Sequence, residues 1–556
     1  MQTLGEQRFS RGFLRNLMIL GIAASLATSG WTGAGRPDGG ETSSRVIVQA
    51  ADPAAAAELV RDVGGEVTHR LGIIDAVAAE LTDRQLQALR SAPDMRRIYR
   101  DHTLEVAAPP RGGHGGGGEP EYSHYPALVD ADLLHDERTK GKGVTIAVVD
   151  TGHTSKEGLN LNTRHKARVV AHYDAIQGQT LPLTANSDAG GHGGHVASIA
   201  VNSAKDPNGK YLGIAPDADL AIAKAFDANG QGTYADVIRA LDWVVASKDA
   251  YGIRVVNLSF SGTLLSFYWE DPLNQAVMAA WQEGIVVVTS AGNVGPEPMT
   301  IGVPGNVPYA ITVGAMTDAY TPADGSDDYL ASFSSVGPTY ESFVKPEVVA
   351  PGGHLKGLMN SDAMIAVEHS IYHDGGDYFQ MSGTSQATGL VSGIVALMLE
   401  EAPWLTPDDV KCRLMASARP AIDPAGDLAY SVFQQGAGLV NAYDAVHATE
   451  TGCANVGLDV GLDLADAEHY QGLARQAPDD SFYIEGFEGY GWDGTYLGGV
   501  GYLWNDGYLW NDGYLWNDGY LWNDGYLWND GYLWNDGYLW NDLTEVMGIN
   551  VWVEQE

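Results

Sequence analysis

Cysteine is nearly absent: 556 residues contain two, Cys412 and Cys453. So few cannot build a disulfide scaffold, and a spacing of 41 positions is not that of a CxxC metal site. In an exported chain the pair could close one disulfide; two buried thiols fit the sequence as well. Positive charge is also scarce. Against 71 Asp and Glu stand 32 Lys and Arg, a formal net charge of −39. Such a chain repels nucleic acid and anionic membrane surfaces, so neither is expected as a partner. The apolar run from Leu17 to about Ala27 is too short to span a bilayer comfortably. Arg11 and Arg15 precede it and small residues end it, the layout of a secretory signal over 1–27 cleaved after Ala27. No second arginine adjoins Arg11, which favours the general secretory route over the twin-arginine one. A basic amphipathic start is the alternative. A secreted or cell-surface protein is therefore expected.

What remains is ample for a core. Hydrophobic residues make up 45% of a chain too long for one compact domain, and two to four domains are expected. Residues 45–107 read as a small α/β unit: RVIVQA a strand, DPAAAAELVRDVGG a helix, IIDAVAAEL a strand, TDRQLQALRSAP a helix capped by Thr82. Residues 108–122 are a Pro/Gly-rich linker open to proteolysis. Over 123–447 short apolar runs (VTIAVVD, LAIAKAF, VVNLSF, IVVVTSAGN, YAITVGA) alternate with helical patterns such as TYADVIRALDWVVASKD and PLNQAVMAAWQEG. Continuous apolar strands are buried on both faces, so an α/β fold with a mostly parallel sheet flanked by helices is predicted. Active groups in such sheets gather at the carboxyl ends of strands, where Asp150 and Asn293 lie. Residues 448–500 read as an acidic, Gly-rich linker. GYLWND then repeats seven times over 501–542, followed by a tail, 543–556. Its Asn-Asp-Gly turns separate triplets too short to stand alone. The aromatic rings could hold a cell-surface polymer, act as a spacer, or be an expansion with little role.

Ser385, in MSGTSQATGLVSG, sits where a loop becomes a helix. A hydroxyl there is a helix cap or, given a base, an orienting acid and oxyanion donors, a nucleophile. The chain supplies candidates: Asp150 after a buried strand, His192 in GGHGGHVASIA, and Asn293 with a donor amide. A turn-forming Asp, a surface or metal-binding His pair and a turn Asn are the plain alternatives. His192 and His195 lack a third ligand at zinc spacing. The pattern around Ser385 is G-T-S-Q-A, not the G-x-S-x-G of a lipase elbow.

With their flanks these residues resemble the subtilisin-like serine proteases. The matching stretches are VVDTGH, HGGHVAS, VVNLSFSG, SAGN, FSSVGP, KPEVVAPG, GTSQAT and GAGLVNAYDAV, in that order, over about 123–447. The resemblance implies a subtilisin-like peptidase domain in which Ser385 attacks the scissile carbonyl and His192 moves its proton. Asp150 would orient the imidazole, while Asn293 and the Ser385 N–H bind the oxyanion. His195 would be a packed structural histidine. Ser259, Phe260, Ser261 and Gly262 would form one wall of the specificity pocket. Gly230 to Gly232 would line a cleft edge for strand-like pairing. Gly302 would lie at the pocket floor, leaving room for a large apolar group. Residues 45–107 would be an inhibitory, ferredoxin-like propeptide acting as an intramolecular inhibitor. The substrates would be proteins or peptides.

Two departures stand out: Gly194 replaces the usual Thr, and Gly389 the usual Pro four positions after the nucleophile. Gly389 is expected to loosen the first turns of its helix. No cofactor is required by this chemistry. Calcium is common in the family, and Asp206 and Asn208 could offer ligands, though a polar turn explains them. The rival function is a surface-binding protein that uses the aromatic repeats and carries a weak or inactive protease-like domain.

Overall fold

A computed structural model describes residues 43–105, 124–321, 325–423, 428–478 and 480–485. The expected signal segment, the linker 108–122, the repeats and the tail lie outside the described residues.

The first unit is a split β-α-β fold. It comprises β1 (Ser43–Gln49), α1 (Pro53–Asp62), β2 (Glu66–Leu71), β3 (Ala76–Thr82), α2 (Asp83–Leu89) and β4 (Arg97–Arg100). The antiparallel sheet runs β2-β3-β1-β4. Because side chains alternate along a strand, Val46 and Val48 of β1 pack into the unit's own core with Val60 and Leu89, while Ile47 joins the core of the main body. Both faces of β1 are therefore buried, and that explains its unbroken Val-Ile-Val. Thr82 and Gln85 form a reciprocal cap on α2. β2 and β4 are absent from the sequence-based expectation. They are the sheet's edges, and their sequences EVTHRL and RIYR are mostly polar.

A three-residue strand follows, β5 (Thr103–Glu105). The main body is built on β6 (Thr145–Asp150), β7 (Val169–Asp174), β8 (Gln179–Thr180), α3 (His192–Val201), β9 (Asp219–Lys224), β10 (Gln231–Thr233), α4 (Tyr234–Tyr251), β11 (Ile253–Leu258), α5 (Pro272–Gln282), β12 (Val286–Ser290), β13 (Ile311–Thr317), β14 (Tyr329–Leu330) and β15 (Val348–Pro351). Its nine-stranded sheet has the order β14-β13-β12-β11-β6-β9-β7-β8, with β15 also on β13. Only the β13–β14 and β7–β8 pairs at the margins are antiparallel. β6, β12 and β13 are buried along their whole length, as their sequences require. A hairpin of β16 (Leu355–Leu358) and β17 (Tyr378–Met381) leads to α6 (Thr384–Glu401), then α7 (Pro407–Ala416).

The first unit rests on α4 and α5. Asp101 Oδ1 accepts from Ala235 N at 2.9 Å, Asp242 Oδ2 from Gly72 N at 3.2 Å, and Gln49 Nε2 donates to Gln275 Oε1 at 3.2 Å.

The expected linker from 448 is, through residue 485, part of the folded body. It carries α8 (Val460–Leu464) and a small hairpin of β18 (Ala474–Gln476) with β19 (Phe482–Ile484). The buried Asp463 carboxylate accepts from Tyr268 Oη at 2.6 Å and Tyr309 Oη at 3.1 Å, and the Trp269 and His469 rings stack. Leu458, Val460, Leu464, Tyr470, Phe482 and Ile484 pack on the main core from this segment, but too irregularly spaced for periodicity to reveal it. Cys412 on α7 is bonded to Cys453, 41 positions away, with Cα atoms 5.2 Å apart. Loop-closure entropy for such a ring is about 4 kcal/mol. Replacing both cysteines with serine should lower the denaturant midpoint by a corresponding amount, measured in the Ser385→Ala background to suppress self-digestion.

Candidate active site

Asp150 ends β6, flanked in the sheet by β9 and β11. That central position buries its carboxylate to 2% exposure. Thr151 N donates to its Oδ1 at 2.7 Å. Its two oxygens lie 2.8 and 2.9 Å from His192 Nδ1. His192 opens α3, immediately after Gly191, whose φ of +101° is open to glycine but strained for other residues.

A residue the sequence did not single out organises this corner. Asp188, 1% exposed, accepts from Gly191 N and Gly194 N, both at 2.7 Å, and from Thr151 Oγ1 at 2.7 Å. It satisfies amides at the start of α3 that have no partner within the helix and fixes Thr151 beside Asp150. Its only sequence signal was an Asp just ahead of a glycine-rich helix start.

Burial disfavours a charged imidazole at His192. The charge and hydrogen bond of Asp150, with a contribution from Asp188, outweigh that, and the pKa is raised above its usual 6.5. His195, one turn on, faces elsewhere. Its Nε2 meets Phe379 O at 2.9 Å, and burial pushes its pKa down to about 4, so it is a neutral packed ring.

Ser385 is the second residue of α6, preceded by Gly383 at φ +156°. Its Oγ donates to Ser259 O at 3.0 Å, and Ser259 Oγ donates back to Ser385 O at 2.9 Å. Asn293 Oδ1 accepts from both Thr384 N and Thr384 Oγ1 at 2.9 Å. Two donors at one atom identify it as the oxygen and orient the amide, leaving its NH₂ to face away from Thr384. Asp150 and His192 thus form one hydrogen-bonded group, and Ser385, Asn293 and Ser259 cluster around the start of α6.

The two groups are joined through α3 and α6. A Cβ at Gly389 would lie 2.9 Å from Val196 O, and Gln386 Nε2 lies 3.5 Å from His195 Nδ1. α6 runs unbroken through Gly389, and the missing side chain there lets it press against α3. Gly194 is likewise compensated, because a Cβ there would lie 2.0 Å from Thr154 Oγ1. Thr154 occupies the space a side chain at 194 would need.

The expected pocket residues divide. Gly232 pairs antiparallel with Leu104 of β5, flanked by Gln231 with Glu105 and Thr233 with Thr103. The β10 edge, with Gly230 just before it at φ +72°, therefore receives an extended strand from this same chain. Ser259 and Phe260 have buried side chains, Ser259 bonded to Ser385 and Phe260 packed 5.2 Å from the Phe226 ring, so a pocket wall at this stretch would be built from its backbone. Ser261 is partly exposed, and Gly262 exchanges two backbone bonds with Val303. At Gly302 only the expected opening is corrected: the place of its missing Cβ is taken by Ser261 Oγ at 2.2 Å and Gly262 O at 2.3 Å, so the absent side chain does not itself leave room for a large apolar group. Asp206, the candidate calcium ligand, closes a tight turn, its Oδ1 accepting from Lys210 N at 2.8 Å and its Oδ2 from Asn208 Nδ2 at 3.2 Å.

Residues 141–439 match the Subtilase family. Serine protease AprX of Bacillus subtilis (strain 168) is 34% identical over 397 residues, covering 70% of this chain and 83% of AprX. The chain belongs to the subtilase family. Subtilisin E of the same organism is 28% identical over 363 residues, 65% of this subtilase and 80% of subtilisin E. A crystal structure of fervidolysin from Fervidobacterium pennivorans, a keratinolytic enzyme related to subtilisin, shares the fold. It superposes with a TM-score of 0.56 at 24% identity over 75% of this chain and 62% of that one. This subtilase is a serine-type endopeptidase. Among the described residues no helix is long and apolar enough to cross a membrane.

Proposed function

We propose that this subtilase cuts peptide bonds with an Asp150-His192-Ser385 triad. The observation that carries the reading is the double approach of Asp150 to His192 Nδ1 at the head of a helix packed against the one that Ser385 opens. Asp150 holds the proton on Nδ1 and leaves Nε2 as the base. Nε2 takes the Ser385 hydroxyl proton as Oγ bonds to the substrate carbonyl carbon, and the tetrahedral oxyanion receives hydrogen bonds from Asn293 Nδ2 and Ser385 N. His192 then passes its proton to the leaving amine as the C–N bond breaks, and water hydrolyses the acyl-enzyme by the same route. The hydrolytic chemistry is carried by these side chains and amides.

The first unit is proposed to be an inhibitory propeptide, and β5 on the β10 edge supports this. An extended substrate would use the same edge, so the chain's own strand competes for it. Secretion follows from the N-terminal sequence pattern. A cell-surface polymer at the GYLWND repeats rests on their aromatic composition alone.

A serine-directed sulfonyl fluoride tests the nucleophile, since sulfonylation of Oγ with loss of fluoride adds a fixed mass. The label should map to Ser385 in the mature enzyme and disappear in His192→Ala. Labelling spread over other serines, with Ser385 unmodified, would reject the reading. Asn293→Ala should lower turnover by about 10²–10³, a size carried over from an oxyanion donor in subtilisin, a relative, rather than derived from this geometry. Peptide hydrolysis kinetics measure it, and a loss below about tenfold would remove Asn293 from the oxyanion site.

A further inference from the structure

Three side chains from distant parts of the chain converge away from the site described above. His124 precedes the short helix Tyr125–Leu128, Asp318 follows β13, and His354 lies between β15 and β16. Their nitrogen and carboxylate oxygen atoms lie within 4.8 Å of one another, and they form the only such group of three His, Cys, Asp or Glu among the described residues. His124 Nε2 is 2.5 Å from Asp318 Oδ2, and His354 Nε2 is 2.6 Å from Asp318 Oδ1.

The second contact is a short imidazole–carboxylate approach outside good hydrogen-bond geometry. His354 Nε2 is buried on a side chain only 2% exposed and has no hydrogen-bond partner, although a carboxylate oxygen stands beside it. A buried polar atom held so close to a carboxylate without good hydrogen-bond geometry demands an explanation. On the other side of the ring, Nδ1 lies 3.4 Å from Thr317 Oγ1, a contact that suits a proton on Nδ1 and a lone pair on Nε2. A lone pair facing a carboxylate is repulsive unless a proton or a metal cation lies between them. The Tyr320 ring stacks on His354 at 3.8 Å, and Ser382 Oγ accepts from His354 N at 2.8 Å, so this imidazole is held from several directions. Tyr125, Leu128, Met316, Pro351 and Leu355 give the surrounding pocket its apolar walls, and none of Asp150, His192 and Ser385 lines it.

We propose that His124, Asp318 and His354 form a zinc site, with water as the fourth ligand. Two imidazoles and one carboxylate match zinc, whereas calcium takes oxygen ligands. Tetrahedral zinc would open the nitrogen–oxygen separations to about 3.3 Å, a small movement of side-chain ends. Thr317 at His354 Nδ1 supplies the outer hydrogen bond that metal-binding histidines use to fix their tautomer. Lys356, also lining the pocket, works against a cation, so micromolar affinity is expected. The ion would tie the segment before residue 125 to the end of β13 and to the loop at 352–354. That loop holds the approach to α6 through Gly383 N to Gly352 O at 2.8 Å and through the Ser382–His354 bond.

The full chain carrying Ser385→Ala, dialysed against micromolar zinc chloride, tests this. It should hold one zinc more than the same chain with His124→Gln and His354→Gln. Zinc should raise its unfolding temperature and not that of the double variant. Cobalt should give the intense visible bands of a four-coordinate site. If the double variant misfolds by circular dichroism, His124→Gln alone at the pocket's half-buried rim serves, and it should weaken zinc binding at least tenfold. Equal zinc content and equal thermal shift in parent and folded variant would overturn the site, as would no zinc uptake by the parent.

Discussion

Ser385→Ala is expected to lower peptide hydrolysis about 10⁶-fold and to leave the precursor uncut. The size is that of nucleophile removal in subtilisin, a relative, and is carried over rather than derived from this geometry. It corresponds to about 8 kcal/mol of lost transition-state stabilisation. Stability should change far less. The serine Oγ makes a bond to Ser259 O at 3.0 Å, and removing it leaves that carbonyl short of a donor at a cost of about 1 kcal/mol. Alanine suits the second position of a helix, so α6 should survive. Processing gives an independent readout. β5 already lies on the β10 edge in antiparallel register, and a chain that trims itself should stop there when its nucleophile is gone. Intact mass would show one full-length species for the variant and a shortened one for the parent. Traces of active enzyme added to the variant separate self-cleavage from cleavage between molecules. Hydrolysis by the variant within about tenfold of the parent would remove Ser385 from the proposed triad.

The parts of this molecule that were legible in the sequence share a physical cause. β6, β9, β11, β12 and β13 are covered on both faces, which forces continuous apolar runs bounded by polar turns. Asp150 and His192 stood out because each sits at the junction where a buried element meets a glycine-rich turn, and the fold brings them into contact. What failed was anything decided by side-chain direction or by polar contacts. The VVNLSF run located the strand beside Ser385 but not that Ser259 and Phe260 both turn inward. Asp188 acts through hydrogen bonds to backbone amides that no spacing announces. Residues 448–485 dock through a disulfide, two tyrosine hydroxyls, a stacked histidine and scattered apolar side chains, a set of contacts without period. His124, Asp318 and His354 are likewise assembled only by the fold.

Asp150→Asn should cost about 10⁴ in turnover, again a size borrowed from triads of this kind. The exchange preserves shape, so the loss would come from charge and tautomer. An asparagine that turns its NH₂ toward Nδ1 makes that nitrogen the acceptor and moves the imidazole proton to Nε2, where it blocks uptake of the Ser385 proton. The pH profile carries the more specific signature. In the parent, Asp150 holds the His192 pKa above 6.5 against the effect of burial, so activity should fall as pH drops through a value above 6.5. The same raised pKa gives protonated His192 a stabilising share that is full below 6.5 and lost as pH rises through the folded value. Without the carboxylate charge, burial dominates and the imidazole stays neutral to lower pH. The residual activity of the variant should therefore persist further into acid than that of the parent, although it is far smaller at every pH. Steady-state kcat/KM from pH 4 to 9 on a small peptide substrate would measure both effects. An acid limb at the same position in both proteins would mean that Asp150 does not control the proton on His192, whatever the fall in rate.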